Sequence, residues 1–224
     1  MEKKSRPSPR GESTRDALLD AATVVFAREG FGPANLREIA EAAAANQALI
    51  GYHFHSKEGL YLAVFERMIG QIRLALSPVL AAIDQALAAP EVPCPPEART
   101  DRYLQPLLDL VQGILVHMIY EHPAWGELVL REQQSPGAAY DLLYAGVIDR
   151  NHKALVGLLR KLRPQEDLEH VRLLAAAIAS QALAIRHYRV PMMRLLQWDA
   201  IGDRELDLMK AQNRRNTTLL ALGD

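Results

Sequence analysis

The stretch "ANLREIAEAAAANQALIGYHFHSKEGLYLAVF" (Ala34–Phe65) decides the fold. Asn35 is a residue type suited to capping a helix, and Glu38 stands at the capping-box position three residues on. Leu36, Ile39 and Ala43 share one face of the helix predicted over Asn35–Ala43. Asn46 is a second capping residue and opens a very short helix, Gln47 to about Tyr52. Ser56 caps a third, which continues through "KEGLYLAVFERMIGQIRLALSPVLAAIDQALA". Two short helices with a tight connection form a helix-turn-helix. By spacing alone such a pair is more often plain packing than a reading device. Asn46–Ser56 carries no Lys, Arg, Asp or Glu, so any grip on a polyanion has to come from its surroundings.

Outward from this stretch, helix signals recur. "STRDALLDAATVVFAREG" begins with Ser13 and Asp16 in capping-box spacing, places Ala17, Leu18, Ala21, Val24 and Val25 on the helical period, and stops at Gly30. Residues 1–12 read as a flexible basic arm with Lys3, Lys4, Arg6 and Arg10. No apolar segment follows the arm, so a secretory leader is not expected. "APEVPCPPEART" is a proline-rich linker. Beyond it helices are predicted at about Asp101–Glu121, Pro123–Gln134, Pro136–Leu162, Pro164–Arg189 and Asp203–Ala221. Pro123, Pro136 and Pro164 are read as first helical residues and Pro191 as the stop of the penultimate helix. The expected fold is all-α. An N-terminal helix-turn-helix domain (13–56) is joined by the long helix to a larger C-terminal helical bundle (57–224).

Composition limits the alternatives. Of 224 residues, 49% are hydrophobic and 24% charged, enough for a packed core, and aromatics are only 6%, which favours helices over sheets. The net charge of −1 means that positive charge for nucleic acid must be local. A single cysteine, Cys94, excludes an intramolecular disulfide and a cysteine zinc finger, and fits a reducing, cytoplasmic setting. The most apolar run, Leu173–Ile185, is too short to span a bilayer, so no membrane association is expected. HExxH, GxSxG and GxxxxGK[ST] motifs are absent, and no catalytic residue, metal or cofactor is expected. Two rival readings remain open at this point: a metal sensor using His117, His122 and His187, and a helical small-molecule-binding enzyme without DNA binding.

The residues quoted above resemble the DNA-binding domain of TetR-family transcriptional regulators over about Thr14–Phe65. The resemblance rests on the first helix ending "FAREGF", the "REIAEAA" helix, the short third helix, "YHF" and "SKEGL". Two positions depart from the family pattern: Ala44 stands where Gly is usual in the turn, and Gly51 where an aromatic is usual. "REQQSPGAAY" (Arg131–Tyr140), with "NQALIGY" in the third helix, is similar to the signature of the CecR-like (YbiH-like) subgroup.

The resemblance implies a sequence-specific, ligand-responsive DNA-binding regulator, expected to be a repressor, that binds a palindromic double-stranded operator as a homodimer. It implies that Gln47 and Ala48 meet bases. That is chemically sound, because Gln can pair with adenine through two hydrogen bonds and apolar groups meet the thymine methyl, neither needing formal charge. The expected DNA-binding set is Arg37, Asn46, Gln47, Ala48, Leu49, Gly51, Tyr52, His53 and Lys57, with Tyr52, His53 and Lys57 on phosphates. Ile50 and Phe54 are expected in the core. The two C-terminal helices are expected to form the dimer interface, given the alanine-rich "HVRLLAAAIASQALAIRHY" and Leu206, Met209, Leu219, Leu220 and Leu222. An unidentified small-molecule effector is expected among His117, Tyr120, Trp125, Arg131, Tyr140, Tyr144 and His187. Arg131 and Glu132 are also read as a structural cap near the Ser135–Pro136 helix start, the role favoured here.

Overall fold

A computed structural model describes residues 9–90, 95–117 and 122–223, and the regular structure among them is helical throughout. Backbone contacts divide the chain into two compact units, residues 1–69 with 127–143 and residues 70–126 with 144–224. The division differs from the one expected at residue 57: the start of the long helix and a segment distant in sequence both belong with the N-terminal residues.

The first unit holds α1 (Pro9–Glu29), α2 (Leu36–Ala42), α3 (Ala48–Phe54), residues 57–69 of α4 (Lys57–Ala88), residues 127–134 of α6 (Pro123–Gln134), and α7 (Ala138–Leu143). α1 starts at Pro9, before the expected Ser13. A proline there costs little, since the first N–H of a helix has no internal partner. Residues 9–12 of the expected arm are therefore helical, while Lys3, Lys4 and Arg6 lie outside the described residues. Gly30 ends α1 with φ +86°, and its N–H donates to the Phe26 carbonyl at 2.8 Å. Leu18, Leu19, Phe26, Ile39, Ile50, Phe54, Leu60, Phe65 and Met68 form the core. Burying a side chain of this kind contributes roughly 1.5–3 kcal/mol, which is how such short helices hold their shape without strong intrinsic propensity.

The second unit holds residues 70–88 of α4, α5 (Pro96–Val116), a π-helical turn (Tyr144–Ile148), α8 (Asp149–Leu162), α9 (Leu168–His187), α10 (Arg189–Leu196) and α11 (Asp203–Leu222). α5 packs on α8, α9 and α11, and α9 packs on α8 and α11. Leu107, Leu110, Leu115, Leu155, Leu158, Leu159, Val171 and Ile178 fill the core. A polar chain crosses it: Gln112 donates to the Lys210 carbonyl at 3.0 Å and Asn213 donates to Gln181 at 3.3 Å. Buried Asn213 must be paired, so this chain fixes the register of α11 against α5 and α9.

Three proline readings are corrected. Pro164 lies in a turn, and α9 begins at Leu168, where the Asp167 carboxylate accepts the His170 N–H at 2.9 Å. A capping aspartate outcompetes the proline as the start signal. Pro136 precedes α7 by two residues, and the helix expected over 136–162 is broken by the π-helical turn. Pro191 sits in the first turn of α10, where it is tolerated, and α9 has already ended at His187.

Candidate nucleic-acid interface

The turn between α2 and α3 follows from backbone bonding. Asn35 Oδ1 accepts the Arg37 N–H at 2.8 Å and caps α2 as expected, while Glu38 pairs with Arg28 of α1. At the other end of α2 the Ala44 N–H donates to the Glu41 carbonyl at 3.1 Å and the Ala45 N–H to the Ala40 carbonyl at 2.9 Å. This is a Schellman motif, which needs a left-handed residue. Ala44 supplies it with φ +50°, the position where the resemblance anticipates glycine.

Asn46 then caps the next helix, its Oδ1 accepting the Ala48 N–H at 2.9 Å. α3 runs over Ala48–Phe54, slightly later than Gln47–Tyr52. Ile50 and Phe54 are buried, as expected. Gln47, Ala48, Gly51 and Tyr52 are exposed on the opposite face, with Tyr52 76% accessible, and Leu49 and His53 are half-buried at its edges. Tyr52 and His53 meet edge to face at 4.9 Å. A side chain added at Gly51 would meet no neighbour within 4 Å, so internal packing does not require glycine there.

The exit from α3 is tight. His55 has φ +67°, and the Ser56 N–H donates back to the Phe54 carbonyl at 2.8 Å, closing a γ-turn. Ser56 Oγ accepts the Gly59 N–H at 2.9 Å and caps α4. Gly59 is dictated by space: a Cβ would stand 2.0 Å from the Phe54 carbonyl oxygen. The "SKEGL" pattern therefore encodes a serine cap followed by a glycine that lets α4 lie against the end of α3.

Cations flank this face. Arg37 is exposed and bonded to Glu41 at 2.8 Å. Arg15 lies over the Phe54 ring at 5.3 Å. Lys57 donates to the Gly32 carbonyl at 2.8 Å and sits over the Phe31 ring at 5.2 Å. Its ammonium retains further donors for a phosphate.

The residues expected around an effector are divided between the two units. His117, His122 and Trp125 of the second unit form a run of rings, with His122 stacked on Trp125 at 3.6 Å and His117 on His122 at 6.3 Å. Tyr144 and His187 are exposed. Tyr120 lies outside the described residues. Arg131 and Tyr140 belong to the first unit and are engaged there. Arg131 donates to the carbonyls of Ala27 at 3.2 Å and Arg28 at 2.9 Å, at the end of α1. The buried Glu132 carboxylate accepts the Tyr61 hydroxyl at 2.8 Å and the Tyr140 N–H at 3.1 Å, so it caps α7. Burial and this bond push the Tyr61 phenol well above its ordinary range, so it remains a donor. The sequence singled out Arg131 and Glu132 but missed Tyr61, whose partner is 71 residues away. Among the described residues no three His, Cys, Asp or Glu side chains are grouped to hold a metal. No described helix is long and apolar enough to cross a membrane.

A helix-turn-helix with an uncharged exposed face on its second helix and cations at the rim is the arrangement that a DNA-binding transcriptional regulator requires. Residues 18–64 match the model of the bacterial regulatory proteins of the tetR family, and residues 104–223 that of the C-terminal domain of the HTH-type transcriptional dual regulator CecR. The second match spans more than half of the chain, which therefore belongs to the TetR family and to its CecR-like group. It is a regulator and not an enzyme. It is 28% identical over 203 residues to the HTH-type transcriptional dual regulator CecR of Shigella flexneri, covering 89% of this chain and 87% of that one. Its fold matches the fatty acid degradation regulator FadR from Bacillus halodurans, with TM-score 0.60, 19% identity and 98% of each chain covered. It also matches the TetR-family regulator PfmR from Thermus thermophilus, with TM-score 0.60, 19% identity and coverage of 92% of this chain and 97% of that one.

Proposed function

We propose that the protein is a cytoplasmic homodimeric repressor that reads a palindromic operator with α3 and releases it when a small molecule binds. The observation that carries the reading is the exposed, uncharged face of Gln47, Ala48, Gly51 and Tyr52, backed by buried Ile50 and Phe54. Gln47 at the helix start pairs with a base edge, Ala48 and Leu49 meet thymine methyls, and Gly51 lets the backbone approach the groove. Arg37, Tyr52, His53 and Lys57 hold phosphates, which fixes register without reading sequence. Asn46 orients α3 through its cap. In this reading residues 13–56 carry DNA recognition, and 57–224 carry dimerisation and effector binding, apart from the segment 127–143.

A helix this short reads few base pairs, so two copies at half-sites ~34–36 Å apart are needed. We assign the dimer contact to α9 and α11, which expose Leu173, Leu208, Leu219, Leu220 and Leu222. We assign the effector to the second unit, with His117, Trp125, Tyr144 and His187 as candidates and Tyr120 a further one from the sequence. The bonds of the Arg131 guanidinium to the end of α1 favour a structural role for that residue, and Tyr140 stays a candidate. An effector weakens DNA binding only if it prefers a conformation with misplaced reading helices.

The test is selection of bound duplexes from a random pool, then titration of the selected operator. Gln47→Ala is expected to cost ~1–3 kcal/mol on the operator and to relax preference at one base pair per half-site. Unchanged affinity and unchanged preference would remove Gln47 from the reading set. The relative CecR is named a dual regulator, which favours a second reading in which this chain also activates. Transcription from promoters bearing the selected site, with and without protein, separates the two.

A further inference from the structure

We infer that Arg131, Glu132 and Tyr61 are positioning residues for operator recognition, joining the end of α1 to the start of α4 and so setting the seat of α3. The inference rests on the reading of α3 as the base-contacting helix.

The geometry comes from two neighbouring residues of α6 bonding to different helices. Arg131 places its guanidinium on the carbonyls of Ala27 and Arg28 in the last turn of α1. Those carbonyls have few partners within the helix, and a cation at a helix C-terminus is also favoured by the dipole. Gly30 makes room: a Cβ there would meet Arg131 Nη1 at 3.2 Å, and its φ of +86° excludes most other residues. The next residue, Glu132, is only 8% exposed and turns to Tyr61, near the start of α4, while its second oxygen accepts the Tyr140 N–H. Tyr61 packs edge-on against Phe26 of α1 at 4.9 Å and against Phe31 of the α1–α2 loop at 5.1 Å. Lys57 in turn holds the Gly32 carbonyl of that loop.

α2 and α3 thus lie between two helix ends that the Arg131–Glu132 pair bridges, while Arg67 of α4 pairs with Asp20 further back along α1 at 2.8 Å. At its far end α3 is tied to α4 without slack, because Gly59 lies under the Phe54 carbonyl. A change in the angle between α1 and α4 must therefore move α3. Base pairing by Gln47 depends on tight hydrogen-bond geometry, whereas phosphate attraction tolerates displacement. Loosening the pair should lower operator binding more than binding to arbitrary sequence.

The test compares the full chain with Glu132→Gln, Tyr61→Phe, their double variant and Arg131→Lys, on the selected operator and on a scrambled duplex of equal length. Gln at position 132 keeps an acceptor for Tyr61 but opposes an amide donor to the Tyr140 N–H. Tyr61→Phe keeps the ring packing and deletes only the hydroxyl, which guards against a variant that fails to fold. Operator Kd is expected to rise about tenfold, matching the loss of one good base contact, with scrambled-duplex Kd and its salt dependence unchanged. Glu132→Gln and Tyr61→Phe are expected to be non-additive. Arg131→Lys, which keeps the charge but not the fork onto two carbonyls, should fall between parent and Glu132→Gln. Equal losses on operator and scrambled DNA, tracking a lower folded fraction, would overturn the inference, and so would variants that bind the operator like the parent. Failure of the parent to distinguish the two duplexes would instead overturn the assignment of α3.

Discussion

At the scale of single residues, the departures from the family pattern are the most informative positions. Ala44 adopts φ +50° in the turn between α2 and α3. A left-handed conformation costs an L-residue roughly 1–2 kcal/mol, part of which glycine returns as chain entropy. Ala44→Gly is expected to stabilise the fold by about 0.5–1 kcal/mol, read as a higher urea midpoint at unchanged slope. No gain would mean that the exposed Ala44 side chain contributes contacts of its own. Gly51 presents the opposite case. It lies within α3, with open space where a side chain would stand. Gly51→Ala should therefore stabilise the helix by about 0.5–1 kcal/mol while weakening operator binding, because the added methyl holds the backbone off the groove. Operator affinity that rises together with stability would show that the backbone does not approach DNA there.

At the scale of elements, local signals were legible and distant pairings were not. The end of α1 at Gly30, the caps Asn35, Asn46 and Ser56, and the span of α4 to Ala88 could each be read within a few residues, because a cap or stop acts on its own turn. Pro164 misled because proline only permits a boundary, while the Asp167 cap creates one, and Pro191 misled because the first turn of α10 tolerates it. The uncharged face of α3 could be read from the alternation of Gln47 and Ala48 with Ile50 and Phe54. The docking of α6 and α7 with the first unit had no such signature: Arg131 bonds to residues more than a hundred positions earlier. The link between α4 and α6 also makes stability depend on pH in a defined direction. Tyr61 is only 6% exposed, and burial, then the bond to Glu132, raises the pKa of its phenol above the unfolded value. A group raised in this way contributes in full below its unfolded pKa of about 10 and loses its contribution as pH rises beyond that. Melting temperatures recorded from about pH 8 to 11 should therefore fall more steeply for the parent than for Tyr61→Phe. Parallel curves would show that the phenol ionises as easily in the folded chain as in the unfolded one.

At the scale of the whole molecule, the exposed apolar residues of the second unit bear on assembly. α11 buries Leu206, Met209, Asn213, Thr217 and Ala221 and exposes Leu208, Gln212, Arg215, Leu219 and Leu222 at alternating spacings of four and three. That spacing puts them on one face of α11, open to a further helix. α9 exposes Leu173, Ala176, Ala177, Ser180 and Ala184 in a similar stripe, whose small side chains permit close approach of another helix. Leu173 is 67% and Leu219 60% exposed, so both are open to another chain. Leu173→Glu with Leu219→Glu leaves the core of the unit intact, since neither side chain is buried in it. In a dimer through these helices, the change places like charges across the two-fold axis. Sedimentation should then report the 24.9 kDa chain where the parent reports twice that mass. The monomer would hold one half-site, with about half the phosphate contacts, so the slope of log K against log salt on the operator should fall by about half. Retention of the parental mass by the double variant would place the interface elsewhere. A monomer that kept the full salt slope would show that operator binding does not need two copies.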